Sequence, residues 1–173
     1  QAKCVIVGDI YNNLAQIIKN KEKFNLIWLD NVLEHVIDPY QLMIDLHKII
    51  DVNGVLVVDV PNDFSTVQQH LLTNNYIDRE FWVSPPDHIS YFNRDGLTNL
   101  ANSSGWCVNN FLSDYPIDWD LFSHKTNYIK NHDLGKSSHL RRVNIENLLH
   151  SISPEKTNIL YEALAELGLG RNI

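Results

Sequence analysis

Along the first sixty residues the hydrophobic positions fall into three compact runs, each ending in a polar step. Lys3 to Gly8 is β-branched and closes on Gly-Asp, Phe24 to Leu29 closes on Asp30, and Val55 to Val60 closes on Pro61. Unbroken apolar runs of this length predict strands of a parallel sheet, buried on both faces. Between them the spacing turns helical. Asn12 to Lys19 places Leu14, Ile17 and Ile18 on one side. Leu42, Leu46, Ile49 and Ile50 form a buried stripe behind a start signal of Asp38 before Pro39. Asn53-Gly54 then ends the connection into the third strand.

The strand–helix–strand–helix–strand order predicts parallel strands joined by right-handed crossovers. Ligands of such sheets bind beyond the carboxyl ends of the strands. Three steps therefore mark the expected site: Gly8-Asp9, Asp30-Asn31 and Pro61-Asn62.

Past Asn62 the pattern loosens. Ser65 caps an expected helix to Leu72, and Asn74 to Asn93 reads as a long loop with aromatics and prolines. A helix from Arg94 to Asn102 ends at Ser104-Gly105, and Trp106 to Leu112 predicts another strand. Beyond Asp114, the aromatic residues Tyr115, Trp119, Phe122 and Tyr128 build either a lid or the core of a helical insert. Leu140 to Ile152 is helical. Ser153-Pro154 opens a last helix with Ile159, Leu160, Ala163, Leu164 and Leu167 facing inward and Gly168 as its cap.

With 173 residues, 44% hydrophobic and 20% charged, the chain has the balance of one ordinary soluble domain. A net charge of −7 opposes a nucleic-acid partner, which requires a basic footprint. No run approaches the roughly 18 apolar residues of a membrane span. The absence of a basic leader and the wide separation of Cys4 and Cys107 predict buried reduced thiols in a cytoplasmic protein. Because the chain opens at Gln1, a natural start further upstream is expected. Its eight histidines lack HxxxH or CxxC companion spacing, so no metal site is expected.

The segment Phe24-Asn-Leu-Ile-Trp-Leu-Asp-Asn-Val-Leu-Glu-His-Val, followed by Asp38-Pro39, resembles class I S-adenosylmethionine-dependent methyltransferases of the ubiquinone-methyltransferase-like group. So do Asn53-Gly54 through Pro61-Asn62, the step Pro86-Asp87-His88-Ile-Ser-Tyr91-Phe92, and Leu97 to Gly105-Trp106. The tail, with Tyr128-Ile129, His139-Leu140-Arg141-Arg142 and Leu167-Gly168-Leu169-Gly170-Arg171, resembles a subgroup associated with surface-polysaccharide or sugar modification. The resemblance implies an α/β fold, a Rossmann-like three-layer sandwich incomplete at its N-terminus, with a C-terminal helical insert. It divides the chain into a core from the third strand onward (1–113), an insert or lid (114–167) and the start of a final strand (168–173). The family's glycine-rich first strand and the acidic end of its second strand have no counterpart in this sequence.

The same resemblance implies S-adenosyl-L-methionine as cofactor and methyl transfer to a small molecule, preferably an oxygen of a sugar such as a nucleotide sugar or glycan precursor. Asp9 then meets the adenine amino group with Ile10 beside the ring, and Asp30, Asn31 and Val32 border the other side. Asp9, Asp30 and Asn31 also read as helix caps, and both roles can coexist. His35 and His88 are the candidate catalytic residues, since imidazole accepts a proton near neutral pH. His35 reads equally as a structural anchor, and Glu34 as a solvated helical carboxylate. Trp82 and Tyr91 are placed to wall an acceptor, with Asn62 and Arg141 as further substrate contacts. Arg141 and Arg142 read equally as a solvated helix face. A non-catalytic binding or scaffolding domain of the same fold is the competing reading. A nicotinamide-dependent oxidoreductase ranks last, because no GxGxxG precedes a helix. The sequence leaves the oligomeric state open.

Overall fold

The computed structural model describes residues 5–173, so Cys4 and the first residues of the Lys3 to Gly8 run lie outside the described residues. Two parallel strands organise the fold: β1 (Phe24–Asp30) and β2 (Ile50–Asp59), in register from Leu26 opposite Val55 to Asp30 opposite Asp59. Helix α1 (Ile10–Asn20) precedes β1, and α2 (Pro39–Ile49) carries the crossover between the strands. The side chains of Asp9 and Asp38 cap these helices by accepting the amides of Asn12 and Gln41, each at 2.9 Å. Thus the capping signals are used as their residue types predict.

Strand β2 begins earlier than its apolar run. Ile50 pairs with Phe24, and the ladder then slips before Val55 meets Leu26. Asn53 (φ 65°) and Gly54 lie inside this irregularity and do not end the connection ahead of the strand. Asn tolerates the left-handed conformation, which lets the strand absorb extra residues. A side chain at Gly54 would sit 2.7 Å from Ile50 Cγ1, so the irregularity also needs a glycine there.

Helices α3 (Thr66–Thr73), α4 (Arg94–Ser103), α5 (Gly135–Ile152) and α6 (Pro154–Glu166) follow, with short 3-10 turns at Leu33–His35, Ile117–Phe122 and His132–Leu134. At the end of the chain Ile173 exchanges two backbone hydrogen bonds with Val60, at 3.1 and 3.0 Å, antiparallel to β2. Asp114 fixes this end by accepting the amides of Arg171 (2.6 Å) and Asn172 (2.8 Å) and the guanidinium of Arg142 (2.9 Å).

Several expectations are corrected, among them burial of both strands on both faces, since Leu26, Trp28 and Val55 are exposed. Val5 to Gly8 forms no strand; Val5, Ile6 and Val7 are 77%, 61% and 90% exposed. An extended run becomes a strand only by pairing, and no ladder partner lies beside it among the described residues. The three-layer sandwich is therefore incomplete in the described residues, where the sheet has two strands. Trp106 to Leu112 is likewise extended but unpaired, which leaves Cys107 exposed, not buried. Helix α6 buries Thr157, Tyr161, Leu164 and Ala165, while Ile159, Leu160, Ala163 and Leu167 face outward. The Ser113 amide bonds the Tyr161 carbonyl at 3.2 Å and Asn110 bonds Glu162 at 2.7 Å, so docking onto this segment sets the helix's rotation.

Two hydrophobic clusters hold the molecule. The larger joins Leu14, Leu29, Leu42, Met43, Leu46 and Val60 to Leu97 and Ala101 of α4, Ala165 of α6 and Ile173. The smaller gathers Val67, Leu71, Ile77, Trp82, Leu121 and Ile129 beneath the long loop. No helix among the described residues is long and apolar enough to cross a membrane. Leu42 is fully buried, and Leu42→Ala is expected to cost about 2–5 kcal/mol in urea denaturation. Ile37→Ala, at an exposed position, should stay within about 0.5 kcal/mol of the parent.

Candidate active site

At the carboxyl end of β1 the chain turns at Asn31 (φ 50°), whose amide continues the ladder by donating to the Asp59 carbonyl at 2.9 Å. The 3-10 turn Leu33–His35 follows. Leu33 and Val36 are buried and pin the turn, which drives Glu34 inward and leaves His35 facing out. Two amides of the loop after Pro86, those of Ile89 and Ser90, donate to the Glu34 carbonyl at 3.0 and 3.1 Å. His35 Nδ1 lies 2.7 Å from the Asp87 carbonyl. A carbonyl can only accept, so Nδ1 carries the proton and Nε2 is the open nitrogen of the neutral ring.

These bonds bring His88 beside His35, their rings edge to face with centroids 4.9 Å apart. Tyr91 lies 6.3 Å from His88 between ring centroids. Its hydroxyl donates to the His88 carbonyl at 3.1 Å and accepts the Ser84 amide at 3.2 Å. Phe64 stands edge-on to both Tyr91 and Trp82, so Trp82 backs the same wall from the smaller core.

Polar groups without partners concentrate here. Glu34 is 1% exposed, and neither of its oxygens accepts a hydrogen bond. This corrects the reading of Glu34 as a solvated carboxylate. His35 Nε2 is 3.6 Å from Glu34 Oε1, too long for a hydrogen bond. His88 Nδ1, Trp82 Nε1 and both carboxylate oxygens of Asp63 are also buried without a partner. Burial pushes the Asp63 carboxyl up to about 6, the charge of Glu34 adding to the effect while Arg171 opposes it. Buried unpaired polar atoms are uncommon in folded proteins and call for a ligand, a proton or an ion.

The remaining expected residues divide. Tyr11 Oη accepts the Asp38 amide at 3.1 Å, so the start of α1 stands next to the loop that leaves β1. Asp9 and Ile10 open α1, while Asp30, Asn31 and Val32 lie at and just past the carboxyl end of β1. Asp9 and Asp30 are both exposed. Asp9 uses Oδ1 for its helix cap, and Asp30 Oδ1 accepts from Asn31 Nδ2 at 2.7 Å. Ile10 lines an apolar groove of about 430 Å³ with Gly8, Leu14, Phe24 and Leu26. Asn62 is buried, its amide donating to the carbonyls of Gly170 (3.2 Å) and Gly168 (3.5 Å), so it anchors the chain end. Arg141 is paired with Asp120 and stands apart from the histidines in sequence and in its contacts. A second cavity of about 540 Å³, under Trp106 and Phe111 against Val55 and Val57, does not include the histidines.

Sequence reasoning missed Glu34 as an inward group and Asp63 altogether. A signal existed for Glu34, since apolar Leu33 precedes it and Val36 follows two residues on, shortly after a strand. Asp63 gives none, because its burial depends on Phe92, whose carbonyl accepts the Asp63 amide at 2.6 Å from a distant loop.

Asp63 generates a pH prediction. Its folded value of about 6 lies above the ordinary 3.8, so its contribution to stability is complete below pH 3.8 and is lost as pH rises through 6. Asp63→Asn should remove that slope and raise stability at pH 7 by up to about 3 kcal/mol. Thermal melts of both proteins from pH 4 to pH 7 read this directly; parallel curves would contradict it.

A sequence model of a methyltransferase domain matches residues 6–109, a stretch that contains α1, both strands and the loop bearing His88. No curated protein matches the chain. Since the match spans more than half of the 173 residues, the chain belongs to the methyltransferase domain family, whose chemistry is methyl transfer.

Proposed function

We propose that this domain transfers the methyl group of S-adenosyl-L-methionine to an oxygen of a small acceptor, a sugar or related metabolite, at the carboxyl ends of β1 and β2. The observation that carries this reading is the meeting of His35 and His88 with Tyr91 and Trp82 beyond two parallel strands, the place where such sheets bind ligands. The resemblance of the tail, residues 128–171, to a subgroup associated with sugar and polysaccharide modification supports the acceptor class.

The exposed Asp9 and Asp30 fit the adenosyl group. Asp9 spends one oxygen on its cap, which leaves the other for an amino group, and the two carboxylates favour a cationic ligand. Asn31 and Val32 border the same end, and Ile10 offers an apolar flank. When bound, the cofactor supplies an electrophilic methyl on a positively charged sulfur. Bound there, it would give that methyl to the acceptor oxygen and keep the carbon–sulfur electron pair on sulfur, while His88 would take the hydroxyl proton. His35 is anchored through Nδ1 to Asp87 and positions the His88 loop. Phe64 and Tyr91, backed by the buried Trp82, form an apolar wall that orients a sugar ring and excludes water.

Tritium-labelled S-adenosylmethionine offered with a panel of nucleotide sugars to the full-length protein tests the assignment. Label is expected in one acceptor class, and His88→Ala should lower turnover by at least about 100-fold with an unchanged circular dichroism spectrum. Failure of calorimetry to detect cofactor binding at millimolar concentration would overturn the reading.

A further inference from the structure

Glu34, His35 and His88 each present a ligand-type atom, and the three atoms lie within 4.8 Å of one another. Two come from adjacent residues of a 3-10 turn and the third from a loop more than fifty residues away, so no motif spacing announces the group. What distinguishes it from an ordinary surface cluster is the state of its electron pairs. Glu34 is 1% exposed and receives no donor at either oxygen. His88 Nδ1 is buried and has no partner. His35 has its Nδ1 proton committed to the Asp87 carbonyl, which turns the Nε2 lone pair of the neutral ring toward the Glu34 carboxylate at 3.6 Å.

The open nitrogen of His35 thus faces the Glu34 carboxylate with no hydrogen bond between them. A single proton relieves one pair; a cation at the centre relieves all three. We propose that Glu34, His35 and His88 form a binding site for a divalent transition metal ion of the zinc class. Two imidazoles and one carboxylate suit such an ion, whereas magnesium and calcium prefer oxygen throughout. Zinc bonds of about 2.0–2.2 Å at tetrahedral angles place ligand atoms about 3.4 Å apart, close to the Glu34–His35 separation already present. A pair at the 4.8 Å limit closes by about 1.4 Å, within reach of side-chain rotation. The bond from His35 Nδ1 to a backbone carbonyl is the outer support that metal-bound imidazoles ordinarily have. Backbone bonds from Ile89 and Ser90 to Glu34 hold the two ligand-bearing segments together before any ion arrives. Three protein ligands leave one position open.

At His88 an ion and the proton-accepting role exclude each other, so zinc would also block the transfer described above. Binding itself needs neither cofactor nor acceptor, and its failure would leave the methyl-transfer reading standing.

The test is calorimetric titration of chelator-stripped, full-length protein with zinc chloride, paralleled by cobalt(II) chloride and its visible absorption. One ion per chain is expected, with a dissociation constant in the micromolar range or tighter and the intense cobalt bands of four-coordinate geometry. His88→Ala, on a half-buried loop, and Glu34→Gln should each weaken zinc by at least about tenfold, while His139→Ala on exposed α5 should not. Should Glu34→Gln fail to fold, His88→Ala alone decides. No saturable binding, or equal affinity in the parent and His88→Ala, would overturn the proposal.

Discussion

The parallel ladder between β1 and β2 is the constraint from which the rest follows. Parallel pairing in register from Leu26–Val55 to Asp30–Asp59 obliges both strands to release the chain at the same end of the molecule. The turn carrying Glu34 and His35 and the step carrying Asn62 and Asp63 are thereby neighbours, although nearly thirty residues separate them. Antiparallel contact of Ile173 with Val60 then ties the chain's end to the same place, and Asp114 clamps it from outside. Backbone groups in these contacts must find partners, so the arrangement is set by obligatory hydrogen bonding as much as by apolar packing.

The strand ends are also where the molecule carries its electrostatic cost. Glu34 and Asp63 are buried without hydrogen-bond partners, and the charge of Glu34 adds to the burial that holds the Asp63 carboxyl up, with Arg171 offering partial relief. Burying a carboxylate without donors is unfavourable by several kcal/mol, roughly the scale of losing a large core side chain. The fold holds these groups beside Leu33, Val36, Val60 and Phe92, all of them in the larger hydrophobic core. Charge held out of water at a strand end is characteristic of a binding region, since a ligand or ion returns what solvent has been denied.

Much of the architecture was legible because local signals and tertiary packing agree. Asp9, Asp38, Ser65, Asn93 and Ser153 all cap the helices that follow them, and the apolar runs at Phe24 and Val55 both become strands. The failures occur where an element depends on something remote. Val5 to Val7 and Trp106 to Leu112 have strand composition but no neighbour to pair with among the described residues. Helix α6 presents Tyr161 and Leu164 inward because of contacts with Ser113 and Asn110, which no periodicity encodes. The nearness of His35 to His88 and the depth of Glu34 and Asp63 became visible only once the loops around Asp87 and Phe92 were in place.

The joint between the 3-10 turn and the loop after Pro86 is made almost wholly of main-chain atoms on the loop's side: the carbonyl of Asp87 and the amides of Ile89 and Ser90. Side chains at 87, 89 and 90 are therefore free of architectural duty. Substitution can change the surface chemistry of that rim while the spatial relation of His35 to His88 stays fixed.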